Sequence, residues 1–151
     1  MYEKKDILLQ ERNFKVNYEQ IGETLWRASS ELSDEMHHIK TRLDIRVPAM
    51  LVEDAAVEFV RMPLGECGSV CRKAEKLIGT KVKDLGFKLF RTFLGSNGCS
   101  QLYLLFGLSG PGFSNIYELN RVKQGETSRD EYNTQMKKDC LAHKELSRKK
   151  A

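Results

Sequence analysis

What the chain lacks narrows its roles before any motif is considered. No apolar stretch is long: the longest, Leu102 to Leu108, falls far short of the roughly 20 residues that a membrane-spanning helix needs. No span is expected. The opening MYEKKDILLQER has charges but no continuous apolar h-region and no small-residue cleavage site, so neither a secretory signal nor a transit peptide is expected. That points to a soluble, cytoplasmic or otherwise intracellular protein. Proline occurs only three times and cysteine four times in 151 residues. Without a signal peptide, four cysteines are expected as reduced thiols and not as a disulfide framework. No single sign of charge dominates either, since the formal net charge is only +4.

What is present fits a folded chain: 40% hydrophobic and 30% charged residues are not the composition of a disordered one. The charge is unevenly placed. Residues 1–47 carry eight basic and nine acidic residues, whereas Arg72 to Arg91 holds seven basic ones (Arg72, Lys73, Lys76, Lys81, Lys83, Lys88, Arg91) against Glu75 and Asp84.

The most regular pattern is N-terminal. Ile7, Phe14, Tyr18, Ile21, Leu25, Ala28, Leu32 and Ile39 fall on steps of three and four, one stripe of a helix. The spacing predicts one long helix over residues 4–45, or two in line with a break near Ser29, and a seam of the short coiled-coil kind. Glu11 and Glu35 interrupt the seam, Gly22 weakens it, and Trp26 widens the apolar face beyond a thin two-stranded contact. Two alternatives stand beside this reading. The seam packs on the chain's own body, or Phe14, Val16 and Tyr18 alternate as a half-buried strand does.

Pro48, Pro63 and Gly79 then act as boundaries. They predict a short helix from Pro48 to about Arg61 and another from Pro63 to Ile78, burying Leu64, Cys67, Val70, Ala74 and Leu77. Residues 80–94, with Thr80 as N-cap, put Val82, Leu85, Leu89 and Phe93 on one stripe, broadened by Phe87, Phe90 and Leu94. Residues 101–108 suit a buried strand or a core helix equally. Ser114 opens a helix to Val122, and Ser128-Arg129-Asp130-Glu131 is a capping box that starts a last, polar helix with a basic tail. The expected fold is therefore all-α: a long amphipathic N-terminal helix (1–47), a compact helical body (48–122) and a polar C-terminal helix (123–151). A small α+β body with one strand near 101–108 is the alternative.

The stretch Leu119 to Leu141, LNRVKQGETSRDEYNTQMKKDCL, resembles the short C-terminal helical hairpins of many bacterial and phage proteins. It shares the glycine turn, the capped second helix and an aromatic at Tyr132, and departs from them at Thr127, where they carry isoleucine. The resemblance implies a role in assembly.

Candidate chemistry is sparse. Gly107, Gly110, Gly112 and Ser114 have the spacing of a phosphate-binding loop, but Phe113 stands where its lysine belongs, so no cofactor is expected. Cys67, Cys71, Cys140 and His143 are a donor set that suits tetrahedral zinc, although the spacing is unlike a tight knuckle; no metal is expected. The basic cluster from Arg72 to Arg91 suits phosphates, with Phe87, Phe90 and Phe93 assigned to the core and not to stacking. His37-His38 has no assignable acid or nucleophile, so no enzyme activity is expected. The expectation is a non-enzymatic adaptor or oligomerising protein that self-associates or meets a protein partner through Tyr18, Ile21, Leu25, Leu32 and Ile39. The alternative is a protein that binds nucleic acid or another polyanion through residues 72–91.

Overall fold

Where a long helix and a short one are expected, the chain forms four strands: β1 (Asn13–Gln20), β2 (Leu25–Ser33), β3 (His38–Arg46) and β4 (Leu51–Arg61). They make one antiparallel sheet in the order β1-β2-β3-β4. The computed structural model describes residues 7–138 and 140–150, apart from the side chains at 146, 147 and 150. Residues 4–6, where the expected helix begins, lie outside the described residues.

The all-α expectation is thus wrong and the fold is α+β. The reason lies in the parity of the buried positions. In β2 the inward side chains are Trp26, Ala28, Ser30 and Leu32, and in β3 they are Ile39, Thr41, Leu43 and Ile45. Each strand obeys the period of two, but the turn at 34–37 moves the inward set from even to odd numbers. The steps of three and four mix the two rows of a strand: Leu25 lies on the less buried row of β2, while Ala28 and Leu32 lie on the buried one. The alternation itself was masked because Ser30 and Thr41 are polar yet buried. Ser30 Oγ donates to the Leu105 carbonyl at 2.7 Å, which leaves Thr41 to donate to Ser30 across 2.6 Å.

After β4 comes a 3-10 helix, Gly65–Leu77, then a 3-10 turn, Val82–Asp84, and α1 (Leu85–Phe93) and α2 (Ser100–Ser109). The continuous apolar run at 101–108 is therefore helix. It lies against β2 and β3, burying Leu102, Leu105 and Phe106. Leu85, Leu89 and Phe93 of α1 close the other side, with the Phe93 and Phe106 rings stacked at 5.5 Å. The backbone of Gly110 sits where a Cβ would come within 3.1 Å of Leu43 and Leu85 methyl carbons. Gly79 ends the 3-10 helix as expected, at φ +81.

Two compact units result, Met1–Pro111 and Gly112–Ala151. The second holds α3 (Phe113–Lys123), α4 (Arg129–Met136) and α5 (Leu141–Lys150). Its capping box is formed: Ser128 Oγ accepts from the Glu131 amide at 3.1 Å and Glu131 accepts from the Ser128 amide at 3.0 Å. Among the described residues no helix is long and apolar enough to cross a membrane.

Candidate functional site

The 3-10 helix organises the surface of the first unit. With three residues per turn, side chains three apart lie over one another, and the burial of residues 65–77 follows that rule closely. Glu66, Ser69, Arg72 and Glu75 are exposed, Cys67, Val70 and Lys73 are half-buried, and the row through Cys71, Ala74 and Leu77 goes inward. Thirteen residues is long for this kind of helix. The period also separates Cys67 and Cys71 of the zinc-type donor set, because positions four apart are turned by about 120° at three residues per turn. Cys67 borders a cleft, whereas burial pushes the Cys71 thiol up, with Cys99 close enough to add to the effect.

A small cleft of about 340 Å³ opens between the 3-10 helix and α1, lined by Lys76, Phe87, Lys88, Arg91 and Thr92. No carboxylate lines it. Phe87 and Phe90, expected in the core, are 68% and 55% exposed, and the Arg91 guanidinium lies 5.7 Å from the Phe87 ring centroid. The helix starts at Leu85 and not at Thr80, so its buried stripe is narrow and these two rings fall outside it. Of the other basic residues, Lys73 donates to the Asn97 carbonyl and Lys81 to the Ala49 carbonyl at 3.2 Å. Arg72 and Lys83 are exposed elsewhere.

A larger cleft of about 970 Å³ lies against the 3-10 helix, the β2–β3 turn, the loop 96–99 and the first turn of α2. Its lining includes His37, Cys67, Lys73, Asn97, Cys99 and Gln101. Gly98 is required there, because a Cβ would run into the Phe93 carbonyl. The turn is built on Asp34, whose side chain is 1% exposed. Its Oδ1 accepts from the amides of Met36 and His37 at 2.8 and 2.6 Å, and Oδ2 accepts from Arg12 Nε at 2.8 Å. Burial opposes the charge, but the Arg12 guanidinium and the two amides outweigh it and hold the Asp34 carboxyl well below the usual range. His37 Nδ1 lies 3.1 Å from the same carboxylate. His37 therefore has the acidic partner that sequence spacing did not supply; Asp34 three residues earlier, opening a turn, was the signal.

The remaining candidates separate. Leu32 and Ile39 are cross-strand neighbours in the core, Tyr18 is half-buried and donates to the Ser109 carbonyl at 3.1 Å, Ile21 lies past the end of β1, and Leu25 starts β2. They form no seam, and the coiled-coil, oligomerising and adaptor expectation loses its surface. Gly107 is inside α2 and Gly110 caps it, while Gly112 and Ser114 begin α3, so the stretch with phosphate-loop spacing is a helix end and a helix start. Cys140 and His143 belong to the second unit, where hydrogen bonds from the His143 side chain and from the amides of His143 and Ala142 pull the Cys140 thiol down. Among the described residues no three or more His, Cys, Asp or Glu side chains converge as a metal site.

Residues 11–110 match the model of a protein family described as "Protein of unknown function (DUF2889)". That stretch includes the whole sheet, both clefts, α1 and α2. No curated protein and no solved structure matches the chain.

Proposed function

The chain belongs to the DUF2889 family, and we propose that it binds single-stranded nucleic acid through the cleft between the 3-10 helix and α1. The observation that carries this reading is the convergence of Lys76, Lys88 and Arg91 around the exposed ring of Phe87, with no carboxylate in the lining. Cations meet the phosphates, and an exposed aromatic ring offers a face on which an unpaired base stacks. A duplex keeps its bases stacked and offers no such face. Binding of this kind requires no catalytic group.

The test is fluorescence anisotropy with a labelled single strand of about 12 nucleotides across a salt series. Three phosphate contacts give a slope of log K against log salt of about −2 for a single strand. Lys88→Glu or Arg91→Glu abolishes binding at moderate salt, and Phe87→Ala weakens it by about 1–3 kcal/mol. Surface substitutions of this sort leave stability within about 0.5 kcal/mol, so folding does not confound the result. Affinity indifferent to salt, or equal affinity for the single strand in the Phe87→Ala chain and the parent, rules the reading out.

A further inference from the structure

The outer edges of the sheet are treated differently by the chain. The outer edge of β4 is closed at its start: Leu51 bridges Lys81, the Val52 amide donates to the Thr80 carbonyl at 3.0 Å, and the Gly79 amide donates to the Val52 carbonyl at 2.8 Å. Register shifts also interrupt its pairing with β3. β1 has none of these protections. Its register with β2 runs unbroken from Asn13 opposite Ser33 to Gln20 opposite Trp26, and it contains no proline. Among the described residues no strand pairs with its outer side. Alternate residues of an antiparallel strand turn their amide and carbonyl to opposite sides, so half of the β1 backbone is an open template for a further strand.

The side chains specify what fits that template. On the outer face of the sheet, cross-strand neighbours alternate in sign: Glu58, Lys40, Glu31 and Lys15 form one row from β4 to β1, and Asp44, Arg27 and Glu19 form a second. Opposite charges directly across strands are stabilising and like charges are not. One row thus ends at the free edge on a cation, the other on an anion. A second copy of β1, related by a two-fold axis through Asn17, runs antiparallel with its Glu19 opposite Lys15 and its Lys15 opposite Glu19. The alternation of sign then continues from Glu58 of one copy to Asp44 of the other. No other axis position from Lys15 to Glu19 achieves this. An axis at either charged residue sets like against like, and one at Val16 or Tyr18 sets both charges against uncharged residues.

The helical face agrees with the same register. Phe14, Val16 and Tyr18 lie in line with the buried Leu32, Ser30 and Ala28 of β2, yet Phe14 is exposed and Val16 and Tyr18 are only half-buried. The axis through Asn17 sets Val16 against the Tyr18 ring of the second copy, and by symmetry does so twice. On α2, Leu104 and Leu108 are exposed, three and seven residues after Gln101 and on the same helix face. Gln101 accepts from Arg12, immediately before β1, so this apolar flank stands on the β1 side of α2. We infer that a second copy of this chain docks on the β1 edge, joining two four-stranded sheets into one, with Lys15 and Glu19 setting the register. This is not the stripe expected from the sequence, whose Leu32 and Ile39 are core. It shares no residue with the cleft at α1, and so stands whether or not nucleic acid binds there.

The test is the mass of the full chain by light scattering on a sizing column, at low salt and over a dilution series. The parent is expected at twice the chain mass of 17.4 kDa. Lys15→Glu sets only glutamates against one another at the junction and Glu19→Lys only lysines, so each variant alone is expected to pair at least about tenfold more weakly. Both side chains are exposed, so each variant is expected to fold as the parent does. In an equal mixture of the two variants glutamate meets lysine at every position, and the doubled mass is expected to return. Misfolded chains do not regain it on mixing. A parent that keeps the single-chain mass throughout the series overturns the proposal, even where an extended peptide of another protein takes the edge. Variants that pair as tightly as the parent, or a mixture that stays at the single-chain mass, overturn it equally, because Lys15 and Glu19 then do not meet.

Discussion

Arg27 grips Asp44 from the neighbouring strand with two hydrogen bonds, Nε to Oδ1 at 2.8 Å and Nη2 to Oδ2 at 2.9 Å. Arg42 adds a third to Oδ2 at 2.6 Å and continues to Asp54 at 2.8 Å, so an ion-pair ladder crosses the outer face of β2, β3 and β4. Burial raises the Asp44 pKa, but the Arg27 hydrogen bonds and the Arg42 charge more than offset it, and the carboxyl titrates below its ordinary value. The folded state therefore holds fewer protons than the unfolded one as the unfolded carboxylate protonates.

The sign for acid stability follows. The contribution of Asp44 is complete above the unfolded pKa of about 3.9 and is lost as pH falls through the lower folded value. Asp44→Asn removes one partner of a largely buried pair and is expected to cost about 3 kcal/mol at neutral pH. Its stability should also fall less steeply below about pH 4 than that of the parent. Urea unfolding midpoints recorded between neutral pH and the acid limb measure both effects, and an unchanged acid slope would contradict the assignment. Some slope remains in the variant, because the Asp34 carboxyl is held low as well.

Gly107 and Gly110 share the spacing of a degenerate phosphate loop in the sequence but have opposite surroundings in the structure. Nothing lies within 4 Å of a Cβ built at Gly107, which is exposed inside α2, whereas one at Gly110 comes within 3.0 Å of the Phe106 carbonyl oxygen and 3.1 Å of two core methyl carbons. Gly107→Ala should stabilise the protein by about 0.5–1 kcal/mol through helix propensity. Gly110→Ala should destabilise it by about 1–3 kcal/mol through overpacking. Thermal unfolding of the two variants decides it; equal shifts would mean that α2 does not end against Leu43 and Leu85.

Local signals were legible where one residue type acts within one turn. The Ser128 capping box, the stop at Gly79 and the buried stripe Val82, Leu85, Leu89 and Phe93 all stand in the structure. Of the sheet only β1 showed, as the alternative strand reading of Phe14, Val16 and Tyr18; β2 and β3 were illegible because Ser30 and Thr41 occupy inward positions, held there by the hydrogen bond that Leu105, far along the chain, accepts from Ser30. For the same reason a helix over residues 4–45 hid the turn at Asp34, and with it the partner of His37. The exposed rings at Phe87 and Phe90 were missed because α1 begins at Leu85 and packs a narrower stripe than its sequence offers.

That buried pair is itself measurable. Thr41→Val keeps the shape and removes the hydrogen donated to Ser30, at a cost of about 1 kcal/mol. Ser30→Ala leaves the Thr41 hydroxyl without its acceptor in the core and should cost about 1–3 kcal/mol. In the double variant the orphaned hydroxyl is gone, so the total should be smaller than the sum, with a coupling of about 1 kcal/mol. Additive costs would show that the two hydroxyls do not share a bond.

Two thiols give a second readout of the fold, since the environments of Cys71 and Cys140 act in opposite directions. Cys140 is pulled down by the His143 side chain and by the amides of His143 and Ala142, so a larger share of it is thiolate at neutral pH. Cys71 is pushed up by burial and faces inward on the 3-10 helix. Brief treatment with iodoacetamide near neutral pH, followed by peptide mapping, should modify Cys140 well before Cys71. His143→Gln removes the largest cause of the lowered pKa and should slow Cys140 while leaving Cys71 as it was. Unfolding in urea should erase the difference, because both thiols then return to the ordinary range of about 8.5. Equal rates in the folded protein would mean that Cys71 is not held inward, and that the three-residue period assigned to residues 65–77 is wrong at that position.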